Sequence, residues 1–399
     1  MKKKKLELEK DFFQYQTQIN PNPMNIMVNY AEGSYIYGTD GKQYLDFVAG
    51  ISVNILGHGN PKIKEAIKTQ VDQYLHTMVY GEFIQNPCVS LCKKISENIP
   101  YPLTTTYLVN SGTEAVEGAL KLAKCYTERE EIISCKGSYH GSTHGSMSIM
   151  GYEDYKRHFR PLLPLVKFIT FNHIEELMDS ITEKTACVIL ETIQCSSGII
   201  LPNNSFLKEV RKQCHQKKAL MILDEIQTGF GRTGKLFAFE HYEIVPDILI
   251  IGKGMGGGMP ISGFVSSKKI MKTFRNIVPL GHLTTFGGNA VSASASLATL
   301  NQLLNSDIIE QVSVKEKWIR EYLVHHEIKN IHGKGLFLSL ELKNKDKVEK
   351  VLKICIKKGL ILFRFLFHNN YIRISPPLTI TKPEIQKGCS IIIESLNKL

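Results

Sequence analysis

Five short runs of this chain are apolar almost throughout: Tyr107–Val109, Glu131–Ser134, Cys187–Leu190, Leu220–Leu223 and Ile248–Ile251. A strand with no polar face must be covered on both sides, and sheets covered on both faces by intervening helices are largely parallel. The pattern predicts an α/β core. Between the runs lie helical patterns: Ala115–Tyr126 sets Val116, Ala119, Leu120 and Ala123 on one face, and Asn204–Lys217 precedes the Ala219 strand. Beyond about residue 300 the texture changes. A long helical pattern, Ala290–Leu304, leads through lysine- and isoleucine-rich segments to Gly335–Leu342, which alternates like a half-buried strand and predicts a second, smaller α+β domain. Near the start, Ser34–Asp46 reads as two short strands joined by a Thr-Asp-Gly turn.

Of the 399 residues, 43% are apolar and 22% charged, which suits a globular chain of about two domains. The nine cysteines include no CxxC pair, and Cys88 and Cys92 are the only close ones, so neither a disulfide framework nor a zinc ribbon is indicated. Reduced thiols point to a cytoplasmic setting. The formal charge of +11 comes mostly from scattered lysines, a pattern that suits attraction of small anions and argues against a nucleic-acid face. Lys2–Lys5 is followed by Leu-Glu-Leu-Glu-Lys-Asp where the apolar part of an export signal would stand. No apolar run approaches the roughly 18 residues of a membrane helix, and no membrane partner is expected.

Lys253 follows the strand Asp247–Gly252 and enters a glycine-rich stretch, Gly254–Pro260. Lysines at strand ends are commonly solvated and glycine runs are commonly turns. A lysine beside backbone that a ligand can approach closely is also a covalent anchor for a carbonyl compound. Asp224, at the end of the strand Ala219–Leu223, strengthens the second reading, because a Schiff-base lysine and an aspartate for a pyridinium nitrogen are what pyridoxal phosphate needs. Glu191, Asp224 and Lys253 all end strands, where open α/β sheets bind their ligands.

Other segments extend this site. Asn110-Ser-Gly-Thr-Glu114 spaces Ser111 and Glu114 as a capping box, and its helix start would turn the N–H groups of Gly112 and Thr113 toward a phosphate. Asp224 alone would serve as a turn cap. With a cofactor present, Ile226 presses on one ring face, Gln227 donates to the ring hydroxyl, and Tyr139, in the glycine-rich loop Gly137–Gly145, stacks on the other face. His140 and His144 lack a third ligand at matching spacing, so no metal is expected.

These segments resemble the class III aminotransferases, pyridoxal phosphate enzymes of fold type I, and within them most of all the acetylornithine and ornithine aminotransferase group. The likeness runs from about Tyr35 to about Leu378. It is carried by Leu45-Asp-Phe, Gly57-His-Gly-Asn-Pro61, Asn110–Ala115, Tyr139-His-Gly, Asp224–Gly234, Lys253 with its glycines, and Thr284-Thr-Phe-Gly-Gly-Asn289. The resemblance implies a mostly parallel large domain over residues 56–300, a small α+β domain over 301–399, and an N-terminal segment, 1–55, packing with the small domain. It implies that Lys253 and Asp224 are catalytic, and that Gly112, Thr113, Tyr139, His140, Ile226, Gln227 and Thr285 bind the cofactor. Thr285 would do so from the neighbouring subunit of a homodimer. Arg373 would hold a substrate carboxylate, as a bidentate guanidinium suits, with Glu191, Ser142 and Thr284 also at the substrate. Two positions depart from the family: Ser142 stands where those enzymes typically have arginine, and Ser196 where they commonly have a glutamate that pairs with the carboxylate-binding arginine.

The expected reaction is ping-pong transfer of the terminal amino group of an ornithine-like or N-acylornithine donor to 2-oxoglutarate, with Lys253 as anchor and then as base. A 4-aminobutyrate-like or simple ω-amine donor, with pyruvate as acceptor, is the alternative that Ser142 favours. Aminomutases and racemases share the Lys and Asp pair. A non-enzymatic cofactor-binding module is a further alternative, and nothing in the sequence marks an attached nucleic-acid-binding segment.

Overall fold

The buried runs assemble first into one large sheet. The structure, a computed structural model, describes residues 2–203, 205–277 and 279–399. Strands β1 (Val28–Glu32), β2 (Tyr35–Gly38) and β3 (Gln43–Asp46) form an antiparallel meander near the N-terminus. The large sheet contains β4 (Thr105–Val109), β5 (Glu131–Cys135), β6 (Val166–Ile169), β7 (Thr185–Glu191), β8 (Leu220–Asp224), β9 (Ile248–Ile251) and β10 (Ser262–Ser266). Its order is β4-β10-β9-β8-β7-β5-β6, parallel except for β10, which runs against both neighbours. Every residue of β7, β8 and β9 is buried, as a sheet with helices on both faces requires.

Two strands of this sheet were not legible as apolar runs. β6 carries Lys167, whose stem lies along the sheet edge while its ammonium pairs with Glu131 at 2.9 Å. β10 begins and ends in serine, and both serines are buried because the antiparallel strand lies between two others. The helix anticipated from Ala115 begins at Gly112 and runs to Thr127, and the pattern Ala290–Leu304 is helical throughout. The pattern from Asn204 is helical over Phe206–Lys217, and Asn204 itself lies outside the described residues.

The C-terminal part adds β11 (Ile328–Lys334), β12 (Phe337–Leu342), β13 (Leu360–Ile361), β14 (Phe363–Arg364) and β15 (Tyr371–Ile374). Four of these form an antiparallel sheet, β11-β12-β15-β14, while β13 pairs in parallel with β3 and so joins the N-terminal meander to the C-terminal part. β12 departs from the half-buried alternation read in the sequence: all six of its residues are buried. The strand is central, and its polar Glu341 is covered by the Lys329 and His332 side chains that bond to it, each at 2.8 Å. Among the described residues no helix is long and apolar enough to cross a membrane.

The helix Lys382–Leu396 closes over the N-terminal segment, where Gly388 lies against the buried ring of Phe47. A β-carbon at Gly388 would run into that ring, which has nowhere to move in a close-packed interior. Gly388→Val should therefore lower the unfolding free energy by about 3 kcal/mol, despite the gain in helix propensity. Urea denaturation checks this, and a loss under about 0.5 kcal/mol would contradict the packing described.

Candidate active site

The carboxyl edge of the large sheet brings five loops together around a cavity of about 310 Å³. After β4, Ser111 caps the helix Gly112–Thr127 by accepting from Glu114 N–H at 3.4 Å. The reciprocal half of the expected capping box is absent. Glu114 reaches one residue further and accepts from the Asn110 backbone N–H at 2.8 Å and from its side-chain amide at 3.0 Å. Gly112 and Thr113 line the cavity at this helix start, where first-turn N–H groups have no partner within the helix. Gly112 packs closely against Ile226, whose Cδ1 would lie 2.7 Å from a β-carbon there and would have to move aside for one. The Thr113 hydroxyl is held by those of Thr143 at 2.6 Å and Ser146 at 2.7 Å.

Asp224, at the end of β8, is buried, with Oδ1 accepting from Ile226 N–H at 3.0 Å and Oδ2 meeting His140 Nδ1 at 2.8 Å. His140 lies behind the aspartate, and its buried Nε2 has no partner among the described residues. Its position fits orientation of Asp224 rather than service as a metal ligand. Among the described residues no group of three or more His, Cys, Asp or Glu side chains is arranged to hold a metal. Tyr139 and Ile226 both line the cavity, from the loops after β5 and β8.

Lys253 follows extended Gly252 at the end of β9 and takes a left-handed backbone conformation, φ 45°, an unfavourable one for a residue with a side chain. Burial, and after it the nearby Arg373 charge, lowers its pKa to about 8. Glu191, at the end of β7, is pushed up to about 7 by burial, helped by the Asp224 charge and opposed by His140. The Glu191 carboxylate faces the cavity, yet both its oxygens are used: Oε1 accepts from Tyr139 N–H at 3.1 Å and Oε2 from Cys195 N–H at 3.0 Å. It ties two loops of the site together.

The remaining expected residues fall into two groups. Arg373, in β15, is buried and reaches the site from behind Gln227, whose Oε1 accepts from Nη1 at 2.8 Å, leaving the Gln227 amide N–H groups to donate. Ser142 stands at the mouth, its hydroxyl 3.0 Å from that of Tyr139. Thr284 and Thr285 lie apart from this cavity. The Thr284 hydroxyl accepts from the Asn110 amide at 2.8 Å and lines a larger cleft of about 700 Å³, while Thr285 is exposed. That cleft holds no lysine and aspartate pair like the smaller cavity's. Two contacts that sequence reasoning missed complete the site's support. His140 was placed at the cofactor without its aspartate partner, although its position directly after Tyr139 is a signal. Cys195, whose thiol accepts from Arg373 Nη2 at 3.2 Å, gave no signal at all.

A buried amine of lowered pKa, an adjacent buried aspartate, a helix start at the cavity wall whose Glu114 carboxylate is turned back to Asn110, and aromatic and aliphatic walls fit pyridoxal phosphate. Residues 17–396 match the family model described as aminotransferase class-III. The chain is 39% identical over 390 residues to an acetylornithine aminotransferase of Caldanaerobacter subterraneus, covering 95% of this chain and 96% of that one. It is 35% identical over 387 residues to ornithine aminotransferase 1 of Staphylococcus aureus, covering 94% and 95%. A solved Toxoplasma gondii ornithine aminotransferase, which shows partial occupancy of PLP at its active site, superposes with a TM-score of 0.92 at 27% identity, covering 99% of this chain and 94% of that one. Fold and site define a pyridoxal phosphate-dependent transaminase of fold type I. The chain belongs to the class III aminotransferases.

Because burial and Arg373 both disfavour the ammonium, Lys253 holds fewer protons at a given pH than an exposed lysine. In the cofactor-free protein, acetylation of Lys253 followed by mass spectrometry should rise through an inflection near pH 8. Arg373→Met removes a positive charge and should move the inflection upward. An inflection above pH 10 in the parent protein would contradict the environment described.

Proposed function

We propose that this enzyme transfers the terminal amino group of an ornithine-like or N-acylornithine donor to 2-oxoglutarate in two ping-pong half-reactions. The observation that carries the reading is Lys253, enclosed and of lowered pKa, at the strand end next to Asp224. Bound pyridoxal phosphate supplies an electron-withdrawing ring that acidifies the carbon bearing the donor nitrogen. Asp224, oriented by His140 and the Ile226 N–H, holds the ring nitrogen protonated. Gly112 and Thr113 would hold the phosphate, Tyr139 and Ile226 would confine the ring, and Gln227 would donate to the ring hydroxyl. Lys253 would be the covalent anchor and, once freed, its neutral amine would take a proton from the donor carbon in the first half-reaction and return one to the acceptor carbon in the second.

Arg373 takes a carboxylate of the 2-oxo acid, which a guanidinium bonded only to neutral groups is free to do. Thr285, exposed and outside its own cavity, completes the phosphate site of a second copy in a homodimer, and Thr284 lies beside it at the shared substrate site. Nine free thiols suit a cytoplasmic enzyme. The acetylornithine and ornithine aminotransferases among its relatives support the donor class.

A second reading has its own observation. Ser142, bonded to Tyr139 at the mouth, puts no positive charge where a donor's distant carboxylate would lie, which favours a simple ω-amine donor, with pyruvate as acceptor. Steady-state rates on N-acetylornithine, ornithine, 4-aminobutyrate and a simple diamine with each oxo acid separate the two. Activity confined to donors without an α-carboxylate would remove the first reading.

Lys253→Ala should abolish turnover with every donor, as followed by oxo-acid consumption; parental rates would sink the assignment. Ser142→Arg should lower KM for N-acetylornithine by about tenfold through a charge-assisted hydrogen bond. No change in that KM would argue against the Ser142 mouth as the place of the donor carboxylate.

A further inference from the structure

Arg373 is a buried cation with no acidic partner among the described residues. Nη1 donates to Gln227, Nη2 donates to the Cys195 thiol, and Nε is buried without a partner. The guanidinium carbon lies 4.7 Å from the Phe365 ring centre and 6.0 Å from that of Phe337. Taking a guanidinium out of water is costly unless it is paired. Two aromatic faces, an amide oxygen and a sulfur, which accepts only weakly, compensate it in part.

The thiol itself is firmly placed. The Cys195 N–H donates to Glu191, its carbonyl accepts from Gly198 N–H at 3.1 Å and Ile199 N–H at 3.2 Å, and the bridge between Gln194 and Ile200 closes the turn. Its side chain packs in a small apolar cluster with Ile193, Ile199, Phe337 and Phe365. Ser196, the next residue, is buried but is not among the partners of Arg373.

We propose that Cys195 is a positioning residue for acid binding: its thiol, fixed through Glu191, steers the Arg373 guanidinium toward the substrate carboxylate and, being uncharged, leaves the charge of Arg373 to that carboxylate. The inference rests on the reading of Arg373 as the carboxylate-binding group. Burial pushes the Cys195 thiol pKa up, in keeping with an uncharged partner. A carboxylate in its place would form an ion pair and compete with substrate. Removing the acceptor altogether would leave one edge of the guanidinium without guidance.

The test uses the cofactor-loaded enzyme and glutarate, a dicarboxylate with no oxo group to react, with binding measured by calorimetry and KM and kcat for 2-oxoglutarate measured alongside. Cys195→Ala should weaken glutarate binding and raise KM by about three- to tenfold, with a smaller change in kcat. Cys195→Ser, which keeps an acceptor at nearly the same place, should return both to within about twofold of the parent, as a hydroxyl accepts the same hydrogen bond. Cys195→Asp should weaken glutarate by more than about tenfold, as a competing ion pair would. Arg373→Met separates the two levels. If it binds glutarate as the parent does, the reading of Arg373 fails and the role of Cys195 fails with it. If Arg373→Met loses glutarate while Cys195→Ala keeps or gains affinity, or Cys195→Asp binds normally, the role of the thiol alone is overturned.

Discussion

Glu191 and Asp224 are register partners on the adjacent parallel strands β7 and β8, so two carboxylates leave the sheet one strand spacing, about 4.8 Å, apart. Where both side chains are buried, two such anions disfavour each other. The structure resolves the conflict by giving them different surroundings. Asp224 receives His140 and a backbone N–H, whereas Glu191 receives two backbone N–H groups and is pushed to about 7. Lys253 ends β9, beside β8, and is itself lowered to about 8. Glu191 and Lys253, at the carboxyl ends of β7 and β9 on either side of β8, therefore change protonation near neutral pH, the condition for moving protons at a carbon atom.

The rest of the fold serves that edge. The parallel order β9-β8-β7 is what lines up Lys253, Asp224 and Glu191, and complete burial of those strands leaves no play in their register. The C-terminal sheet brings Arg373 from the far side. Its strand β15 lies between β12 and β14, and buried Arg232, in the loop after β8, bonds to the carbonyls of Leu336 and Pro376. Arg373 and Lys253 then meet electrostatically, since the arginine charge helps depress the lysine. The site is thus jointly held by two sheets, and the large loops after β5 and β7 are tied to one another through Glu191.

Much of this was readable in one dimension because the information is local. An apolar run followed directly by Asp224 or Lys253 states both the strand and what stands at its end. Gly112 and Thr113 announce a helix start by the residues around them. Strands were missed where local sequence and environment disagree. β10 is short and serine-bounded, and β6 carries a lysine, so neither shows an unbroken apolar run. β12 looked half-buried because Ser339 and Glu341 alternate with apolar residues, and only the neighbouring Lys329 and His332 reveal that its polar side is covered.

The sequence alone determined the family, the cofactor, the largely parallel core and the residues at its strand ends, because each rests on a short, contiguous pattern. Only the tertiary structure decided who touches whom. It showed Glu191, at the cavity wall, clasping two loops, placed His140 behind Asp224, and separated Thr284 and Thr285 from the cavity of their own chain. It also seated Cys195 against Arg373, 178 residues later in the chain. Such contacts join residues far apart in sequence, and their geometry follows from how sheets and loops close in three dimensions, which no local pattern encodes.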